Sequence, residues 1–337
     1  MVQSKGPIVF LLFACVAYYL WHEPPISDET YKAQLSGKVV LLCGSSSGIG
    51  EELAYNLASF GAKLILVSRT ESKLQAVKKN AEAKGSPGVE IIPFDLSDTA
   101  KAPELISKAV AVFGGIDHVV LNHAALPTGP FLSMKNFQDP EFIEKTFRTN
   151  FFSHIQLTLA VLPHIEEKSG HVIITSSMAG ELPFFFTGLY ASSKHALNGF
   201  FYSLQQELLA RKSKVTVTVA ALGAIMTNEV DLLLKDKVPD IVKGGLAECV
   251  QSMTRSFVTR QRTVTFPRFT GIIGRLAGQT PFFHEIMLAD PKSHENMLEY
   301  AKHQAELSKT TGYQSGNLGI DEPTPAPAIQ EDPKIGE

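Results

Sequence analysis

The stretch CGSSSGIG, residues 43–50, directly follows the apolar run VVLL at residues 39–42. An unbroken apolar run is typical of a strand buried on both faces, and the residues after 50 have the apolar spacing of a helix. Glycine lets the backbone turn sharply and approach a pyrophosphate, which the N-terminus of the next helix attracts. The stretch therefore predicts a dinucleotide-binding turn, with a purely structural turn as the alternative. Its predicted cofactor contacts are Gly44, Ser46, Ser47, Gly48, Ile49 and Gly50.

Alternating apolar runs and helical stretches continue along the chain. The runs lie at residues 38–44, 62–68, 89–95, 116–122, 170–176 and 214–222. Strands that alternate with helices predict a doubly wound parallel sheet, the α/β Rossmann fold, covered by helices on both faces. Such a sheet binds ligands beyond the carboxyl ends of its strands, so we expect the functional residues there.

The end of the second run, Val67-Ser68-Arg69, indicates which dinucleotide is bound. An acidic residue at this point would hold the ribose 2′-OH of NAD, whereas a guanidinium pairs with the 2′-phosphate of NADP. Because Ser68 is neutral and Arg69 follows it, the sequence predicts NADP(H) as the cofactor.

Tyr190 and Lys194 are four residues apart in a predicted helix, so their side chains share one face. An ordinary phenol has a pKa of about 10 and exchanges its proton poorly at neutral pH. A neighbouring ammonium favours the phenolate, so we expect Lys194 to lower the pKa of Tyr190 and to make it a general acid or base. The alternative is a surface pair without a role.

Together these motifs resemble the short-chain dehydrogenase/reductase family over about residues 38–227. The glycine turn has that family's GxxxGxG spacing, although Cys43 replaces its usual Thr. The motifs LNH (121–123), LGAIMT (222–227) and HALNGFFYSLQQEL (195–208) resemble the 11-beta-hydroxysteroid dehydrogenase type 1 branch. That resemblance implies a steroid reductase or dehydrogenase that is anchored in the endoplasmic reticulum and is a homodimer.

The resemblance also implies the catalytic residues. Ser177 lies thirteen residues before Tyr190 and would orient a substrate carbonyl and stabilise its developing oxyanion. Asn150 would hold a water that links Lys194 to solvent, and its alternative is an ordinary polar helix residue. The predicted catalytic set is Asn150, Ser177, Tyr190 and Lys194.

Three further cofactor contacts follow from the same resemblance. Asp95 would bind the adenine amino group, although it could instead cap a helix, a role for which Asp98 competes. Asn122 would line the cofactor cleft, and Thr227 would bond the nicotinamide carboxamide. His123 replaces a family Asn, and we interpret it as a packing residue. The predicted cofactor set adds Arg69, Asp95, Asn122, Tyr190, Lys194 and Thr227 to the glycine turn.

The substrate contacts are predicted from Ser177, Tyr190 and the aromatic run at residues 184–186. Phe184 and Phe185 lie in the loop that borders the substrate in this family, so an apolar and fairly large ligand is expected. The alternative is that these rings fill the core beside the site.

The N-terminus contains sixteen uncharged residues, 6–21, that end in an aromatic cluster. We interpret residues 1–22 as a membrane anchor, with a cleaved signal peptide and secretion as the alternative. Lys5 before the segment and acids after it predict a single-pass protein of the endoplasmic reticulum with a lumenal catalytic domain. We further predict a linker at 23–35, the oxidoreductase domain at 36–290, and a C-terminal helix with a disordered tail at 291–337.

Composition narrows the class of function. The net charge is −3, without a basic cluster that would bind nucleic acid. Three cysteines form neither a disulfide framework nor a metal motif, so no metal is predicted. The motifs predict hydride transfer between NADP(H) and a carbonyl or secondary alcohol of an apolar substrate, and the family resemblance implies that this substrate is steroid-like. A retinal, fatty aldehyde or xenobiotic carbonyl is the alternative substrate, and a non-catalytic NADP(H)-binding scaffold is the alternative class.

Overall fold

A seven-stranded parallel sheet forms the centre of the chain, and its strands, numbered as they follow along the chain, lie side by side in the order 3-2-1-4-5-6-9. The computed structural model describes residues 23–127, 139–182, 184, 187–227, 243–268 and 271. The sheet strands are β1 (Val39–Cys43), β2 (Lys63–Ser68), β3 (Val89–Pro93), β4 (His118–Leu121), β5 (His171–Ser177), β6 (Thr216–Leu222) and β9 (Thr263–Phe266). Strands β7 (Ala224–Ile225) and β8 (Lys243–Gly244) form a separate parallel pair.

Eight α-helices of at least eight residues lie in the described ranges and connect or cover these strands. They are α1 (Asp28–Leu35), α2 (Gly48–Ser59), α3 (Glu71–Ala83), α4 (Ala102–Phe113), α5 (Pro140–Phe147), α6 (Ser153–Glu166), α7 (Gly188–Ala210) and α8 (Leu246–Thr259). A π-helical turn, Arg148–Phe152, joins α5 to α6, and Met178–Gly180 forms a 3₁₀ turn after β5. The predicted doubly wound fold and all six predicted strands are confirmed.

Each face of the sheet carries its own apolar core because successive side chains of a strand point to opposite faces. On β1, Val39, Leu41 and Cys43 join one core, and Val40 and Leu42 join the other. All five residues of that strand are buried. The unbroken apolar pattern of the sequence therefore reflects a strand with helices on both sides.

The seventh strand, β9, has no counterpart in the sequence prediction. It pairs in parallel with β6, from Val219 opposite Thr263 to Leu222 opposite Phe266. Its four residues, TVTF, are too short a run to be distinguished from a loop by periodicity alone. By pairing with β6, the strand satisfies backbone groups that β6 would otherwise leave open at the sheet edge.

The linker prediction for residues 23–35 is wrong over its second half. Residues 28–35 form α1, whose N-cap residue Ser27 accepts a hydrogen bond from the backbone of Thr30. Tyr31 and Leu35 are buried, and the ring of Tyr31 stacks on Phe60 at 4.9 Å between centroids. Because the other residues of this helix are exposed, two packing residues alone give no clear apolar pattern in the sequence. Their burial shows that the segment belongs to the folded domain.

Several predicted features lie outside the described residues. These are the N-terminal anchor at 1–22, Phe185 of the aromatic run, and the C-terminal helix and tail at 291–337. Within the described ranges, no helix combines the length and the apolar character needed to cross a bilayer.

Candidate active site

The predicted functional residues collect at one edge of the sheet. Gly44 follows β1, Ser68 ends β2, Asn122 follows β4 and Ser177 ends β5. Because all these strands run in the same direction, their carboxyl ends meet at the same edge. The helix α7 then brings Tyr190 and Lys194 to that edge beside β5.

The glycine turn has the backbone that a bound pyrophosphate requires. Gly44 has φ of +81° and Gly48 has φ of +57°, which is the left-handed region that favours glycine. A Cβ on Gly50 would lie 2.0 Å from the carbonyl oxygen of Gly44. Asn122 donates its side-chain amide to that same carbonyl at 2.9 Å, so the predicted cleft residue holds the turn in place.

The first turn of α2 is suited to an anion. Its N-cap residue is Ser47, and within the described residues the Ser47 side chain makes no capping hydrogen bond. The Ser47 side chain therefore leaves the N–H groups at the helix start available, together with the positive end of the helix dipole, for an anion. Ile49 turns its side chain to the core on that face of the sheet, so only its backbone belongs to the turn. These residues fit a dinucleotide pyrophosphate.

Two hydroxyls and a guanidinium stand together at the end of β2. Ser68 donates its hydroxyl to Ser46 of the glycine turn at 2.8 Å, and Arg69 beside it is exposed. Burial raises the pKa of the Asp95 carboxyl, but hydrogen bonds from Ser97 and the charge of Arg69 outweigh it and leave that pKa below its ordinary value. The Asp95 carboxylate therefore accepts hydrogen bonds from the backbone N–H and the hydroxyl of Ser97 in a short turn. This role is similar to that of a helix cap, the alternative given for Asp95 from the sequence.

Thr227 faces the glycine turn from the opposite side of the cleft. Its methyl group is 3.1 Å from the place where a Cβ of Gly48 would lie. The residue follows β7, and its backbone N–H bonds to the carbonyl of Ile225 at 2.8 Å. Thr227 thus lies beside the predicted cofactor turn, and its role in holding the nicotinamide carboxamide stays a prediction.

Tyr190, Lys194 and Ser177 converge as the motif spacing predicts. The ammonium of Lys194 is 5.7 Å from the centre of the Tyr190 ring, and the side chain is only 1% exposed. It donates to the carbonyl of Thr175, two residues before Ser177, at 2.9 Å. The hydroxyl of Ser177 hydrogen-bonds the phenol of Tyr190. A proton donor, a cation and a polarising hydroxyl therefore share one small space.

The expected lowering of the Tyr190 pKa by Lys194 is not found in the chain by itself. Burial raises the pKa of Tyr190, and the hydrogen bond with Ser177 acts in the lowering direction. Burial also lowers the pKa of Lys194 to about 7. The prediction considered only the attraction between the Lys194 ammonium and the Tyr190 phenolate. Desolvation disfavours the charged form of each group, and in the chain by itself it is the larger effect.

Asn150 lies in the π-helical turn, and its side chain is fully buried. It accepts from the backbone N–H of Ala125 at 2.7 Å and donates to the Ala125 carbonyl at 2.8 Å. It also donates to Ser193, the neighbour of Lys194, at 3.0 Å. The residue thus joins the segment after β4 to the helix of the catalytic pair, while its predicted role toward a water stays a prediction.

His123 packs behind the site, as interpreted from the sequence. Its ring stacks on that of His154 at 4.1 Å between centroids, and its Nε2 lies 2.6 Å from the hydroxyl of Ser153. Burial lowers the pKa of His123 to about 3, with a smaller contribution from the charge of Lys194. Both rings are neutral at ordinary pH and add no second positive charge beside Lys194.

The substrate side is apolar where the structure describes it. Phe184 is partly buried, and its carbonyl accepts from the hydroxyl of Thr187 at 2.8 Å. Leu189, next to Tyr190, is buried against side chains of α5. These neighbours are Phe142, Ile143 and Phe147. Part of the expected substrate wall is therefore packed within the fold, as the alternative interpretation of the aromatic run allowed.

Two residues of the site were not predicted. Ser193 receives the amide of Asn150, and Asn198 bonds to both Ser176 and Gly180 next to Ser177. Asn198 is four residues after Lys194, as Lys194 is four after Tyr190, so a search for polar residues along that helix face would have found it. Ser193 has no comparable signal.

Comparison with known proteins agrees with this geometry. The family model for short chain dehydrogenase matches residues 38–237. A hydroxysteroid 11-beta-dehydrogenase 1-like protein of Gallus gallus is 38% identical over 240 residues, which are 71% of this chain and 82% of the relative. The 1-like protein B of Xenopus laevis is 33% identical over 265 residues, 78% of this chain and 88% of the relative. The resemblance inferred from the motifs is confirmed.

Solved structures show the same fold. A metagenomic short-chain oxidoreductase in complex with NADP has a TM-score of 0.57 at 26% identity, covering 69% of this chain and 96% of its own. A 7 alpha-hydroxysteroid dehydrogenase complexed with NADH and 7-oxo glycochenodeoxycholic acid has a TM-score of 0.61 at 21% identity, covering 70% and 95%. One carries NADP and the other NADH, so the fold is compatible with either dinucleotide.

Proposed function

The chain belongs to the short-chain dehydrogenase family, and from that premise we propose that it transfers a hydride between NADP(H) and a carbonyl or secondary alcohol of an apolar, steroid-like substrate. The observation that carries the proposal is the convergence of Ser177, Tyr190 and Lys194 next to a glycine turn suited to pyrophosphate.

When bound, the nicotinamide supplies or accepts the hydride. The chain's own residues then handle the oxygen and its proton. Ser177 donates to the substrate oxygen and stabilises negative charge that develops there. Tyr190 gives its phenolic proton to that oxygen during reduction and takes it back during oxidation. Lys194, one helical turn away, stabilises the phenolate that forms when the proton has left.

The raised pKa of the Tyr190 phenol is consistent with this role. In the chain alone the phenol holds its proton, which is the form that a carbonyl reduction consumes. The positive charge of an oxidised nicotinamide and a protonated Lys194 would both favour the phenolate after transfer. The favoured form of Tyr190 is therefore the phenol before proton transfer and the phenolate after it.

NADP(H) is proposed over NAD(H) because of the residues at the end of β2. Arg69 is exposed and free to approach a 2′-phosphate, and the paired hydroxyls of Ser68 and Ser46 add neutral donors nearby. A carboxylate, which would repel the phosphate, is replaced here by Ser68.

A steroid-like substrate is proposed from the apolar surroundings and the relatives. Phe184 is only partly buried in the segment between Ser177 and Tyr190, and two relatives carry the name hydroxysteroid 11-beta-dehydrogenase 1-like. Retinal, fatty aldehyde and xenobiotic carbonyls are the alternative substrates, since the same apolar contacts would suit them.

We also propose attachment to the endoplasmic reticulum membrane with a lumenal domain, because of the apolar residues 6–21 and the family branch that the motifs resemble. A homodimer is proposed because two large apolar side chains, Phe152 and Leu159, are 47% and 50% exposed two helical turns apart along α6 and the turn before it.

The alternative of a non-catalytic NADP(H)-binding scaffold is disfavoured by the intact proton-transfer geometry, which cofactor binding alone does not require. The experiment that separates the two is a screen of NADPH oxidation by the full-length chain against steroid ketones, retinals and aliphatic aldehydes, with NADH in parallel. Turnover of a steroid ketone with NADPH supports the proposal. Faster turnover of retinal or aldehyde contradicts the substrate class, and equal rates with NADH contradict the cofactor preference.

A further inference from the structure

A buried amide on α7 ties the segment after β5 to the catalytic helix. Asn198 is 4% exposed and lies one turn beyond Lys194. Its Oδ1 accepts a hydrogen bond from the hydroxyl of Ser176 at 2.5 Å, and its Nδ2 donates to the carbonyl of Gly180 at 3.0 Å. The single side chain therefore joins two points that stand on either side of Ser177.

The segment between those two points rests directly on the helix. A Cβ on Gly180 would lie 2.7 Å from the Asn198 amide and 2.8 Å from the carbonyl of Lys194, so only glycine allows this approach. Ser177 itself caps the short turn by accepting from the N–H of Ala179 at 3.1 Å. The residue before Ser177 and the turn after it are thus both tied to α7 through Asn198.

The same helix face continues the arrangement by one more turn. Tyr202, four residues after Asn198, donates its hydroxyl to the carboxylate of Glu181 at 3.0 Å. Side chains at intervals of four share one face of a helix. That face of α7 therefore presents the two proton-transfer residues first and then two residues that hold the serine segment.

We propose that Asn198 is a positioning residue, which sets the distance between the Ser177 hydroxyl and the Tyr190 phenol for the proposed reaction. Ser177 ends a strand and Tyr190 belongs to a helix, so no covalent geometry fixes one relative to the other. A displacement of about 1 Å in a reacting group costs up to about 100-fold in rate. The proposal rests on the proposed oxidoreductase function. It adds the residue that keeps the Ser177 hydroxyl and the Tyr190 phenol at the distance that the reaction needs.

The test is the variant Asn198→Ala in the full-length chain, assayed with NADPH and the best carbonyl substrate of the screen. The expected result is a fall in kcat of about 10- to 100-fold, with the KM and the Kd for NADPH changed less than about twofold. Within the described residues, the side-chain hydrogen bonds of Asn198 go to Ser176 and Gly180 and not to the glycine turn, so we expect NADPH binding to be retained.

Gln205 provides a matched control on the same helix. It is 7% exposed and donates to the carbonyls of Val217 and Arg262 at 3.1 and 2.8 Å, so its replacement by Ala also removes two hydrogen bonds made by a buried amide. We expect Gln205→Ala to lower the Tm about as much as Asn198→Ala and to leave kcat unchanged. Equal falls in kcat for both variants would show that Asn198 acts only through stability and would overturn the proposal.

A double-mutant cycle with Ser177→Ala tests whether Asn198 acts through Ser177. If it does, Asn198→Ala costs much less activity when Ser177 is already absent, because there is no hydroxyl left to misplace. Additive losses overturn the positioning role. If Asn198→Ala does not fold, Ser176→Ala breaks the same junction from its other side, with the same expected fall in kcat and the same cycle.

Failure of the inference and failure of the proposed function give different results. A wild-type chain that reduces no carbonyl compound with NADPH contradicts the proposed function, and the role of Asn198 falls with it. An active wild type, an impaired Ser177→Ala variant and an unimpaired Asn198→Ala variant contradict the inference alone.

Discussion

The ammonium of Lys194 lies 5.7 Å from the centre of the Tyr190 ring, one turn further along the same buried helix face. Burial opposes the charged form of each group, since it lowers the pKa of Lys194 to about 7 and raises that of Tyr190. The pair is therefore unfavourable for stability in the chain alone. This arrangement is expected of a catalytic site in which the phenolate of Tyr190 forms only during the reaction.

Replacing Lys194 by Met should stabilise the cofactor-free chain. The pKa of Lys194 is about 7 in the folded chain and has the ordinary value of 10.5 in the unfolded chain. Between these two pH values the unfolded chain binds more protons, so the free energy of unfolding rises with pH. Below pH 7 the buried Lys194 destabilises the folded chain by its full amount. We expect a gain on the order of 2 to 4 kcal/mol at pH 7. The gain should shrink by up to about 1.4 kcal/mol per pH unit above that. Urea unfolding at pH 7 and pH 9 measures it, and a variant less stable than wild type would contradict the account.

Replacing His123 by Asn should make stability less sensitive to acid. The folded chain holds this imidazole neutral with a pKa of about 3, whereas the unfolded chain takes up a proton near 6.5. Stability is therefore lost as pH falls through that interval. Between pH 7 and pH 5 the variant should lose about 2 kcal/mol less than wild type. The exposed His164 offers the control His164→Asn, and equal slopes for the two variants would refute the explanation.

Gly50 and Gly199 should respond oppositely to replacement by Ala. The Gly50 Cβ would meet the Gly44 carbonyl at 2.0 Å and the Asn122 amide at 2.8 Å, so NADPH binding should fall by at least about tenfold. Gly199 is an exposed residue of α7, and a Cβ on it would meet nothing within 4 Å. Gly199→Ala should stabilise the chain by about 0.5 to 1 kcal/mol and leave NADPH binding unchanged. Titration of NADPH fluorescence decides, and normal binding by Gly50→Ala would contradict the proposed turn.

Ser68 and Arg69 should determine the choice of dinucleotide. The double variant Ser68→Asp/Arg69→Leu places a carboxylate where the 2′-phosphate would lie and removes the guanidinium. We expect kcat/KM for NADPH to fall by about 100-fold, and kcat/KM for NADH to rise, because charge repulsion replaces charge pairing. Steady-state rates with both cofactors test this. An unchanged ratio would place the 2′-phosphate site elsewhere.

The strands, and the edge of the sheet at which the site residues lie, could be predicted from the sequence because short apolar runs and residue spacing identify them locally. Six apolar runs identify six strands, and the carboxyl ends of parallel strands must share an edge, so Gly44, Ser68, Asn122 and Ser177 were expected to meet. The Tyr190–Lys194 pair follows from helical spacing alone. None of these inferences depends on which loops lie between the elements.

What the sequence did not predict depends on packing at long range. Helix α1 looks polar until Phe60 is known to lie beside Tyr31, and β9 is too short to be recognised without β6 as its neighbour. The pKa of Tyr190 was expected to fall because a nearby amine is visible in the sequence and the loss of water around it is not. The spacing of Asn198 from Lys194 places it on the catalytic helix face, but its partners, the Ser176 hydroxyl and the Gly180 carbonyl, become visible only in the folded chain.

The measurement that tests the central claim most directly compares wild type with Tyr190→Phe in two assays on the same preparation, carbonyl reduction and NADPH binding. The variant removes one oxygen and leaves the ring beside Lys194. The account predicts that turnover falls to background while the Kd for NADPH stays within about twofold of wild type. Turnover that persists in Tyr190→Phe would show that the phenol does not transfer the proton, and the proposed mechanism would be wrong.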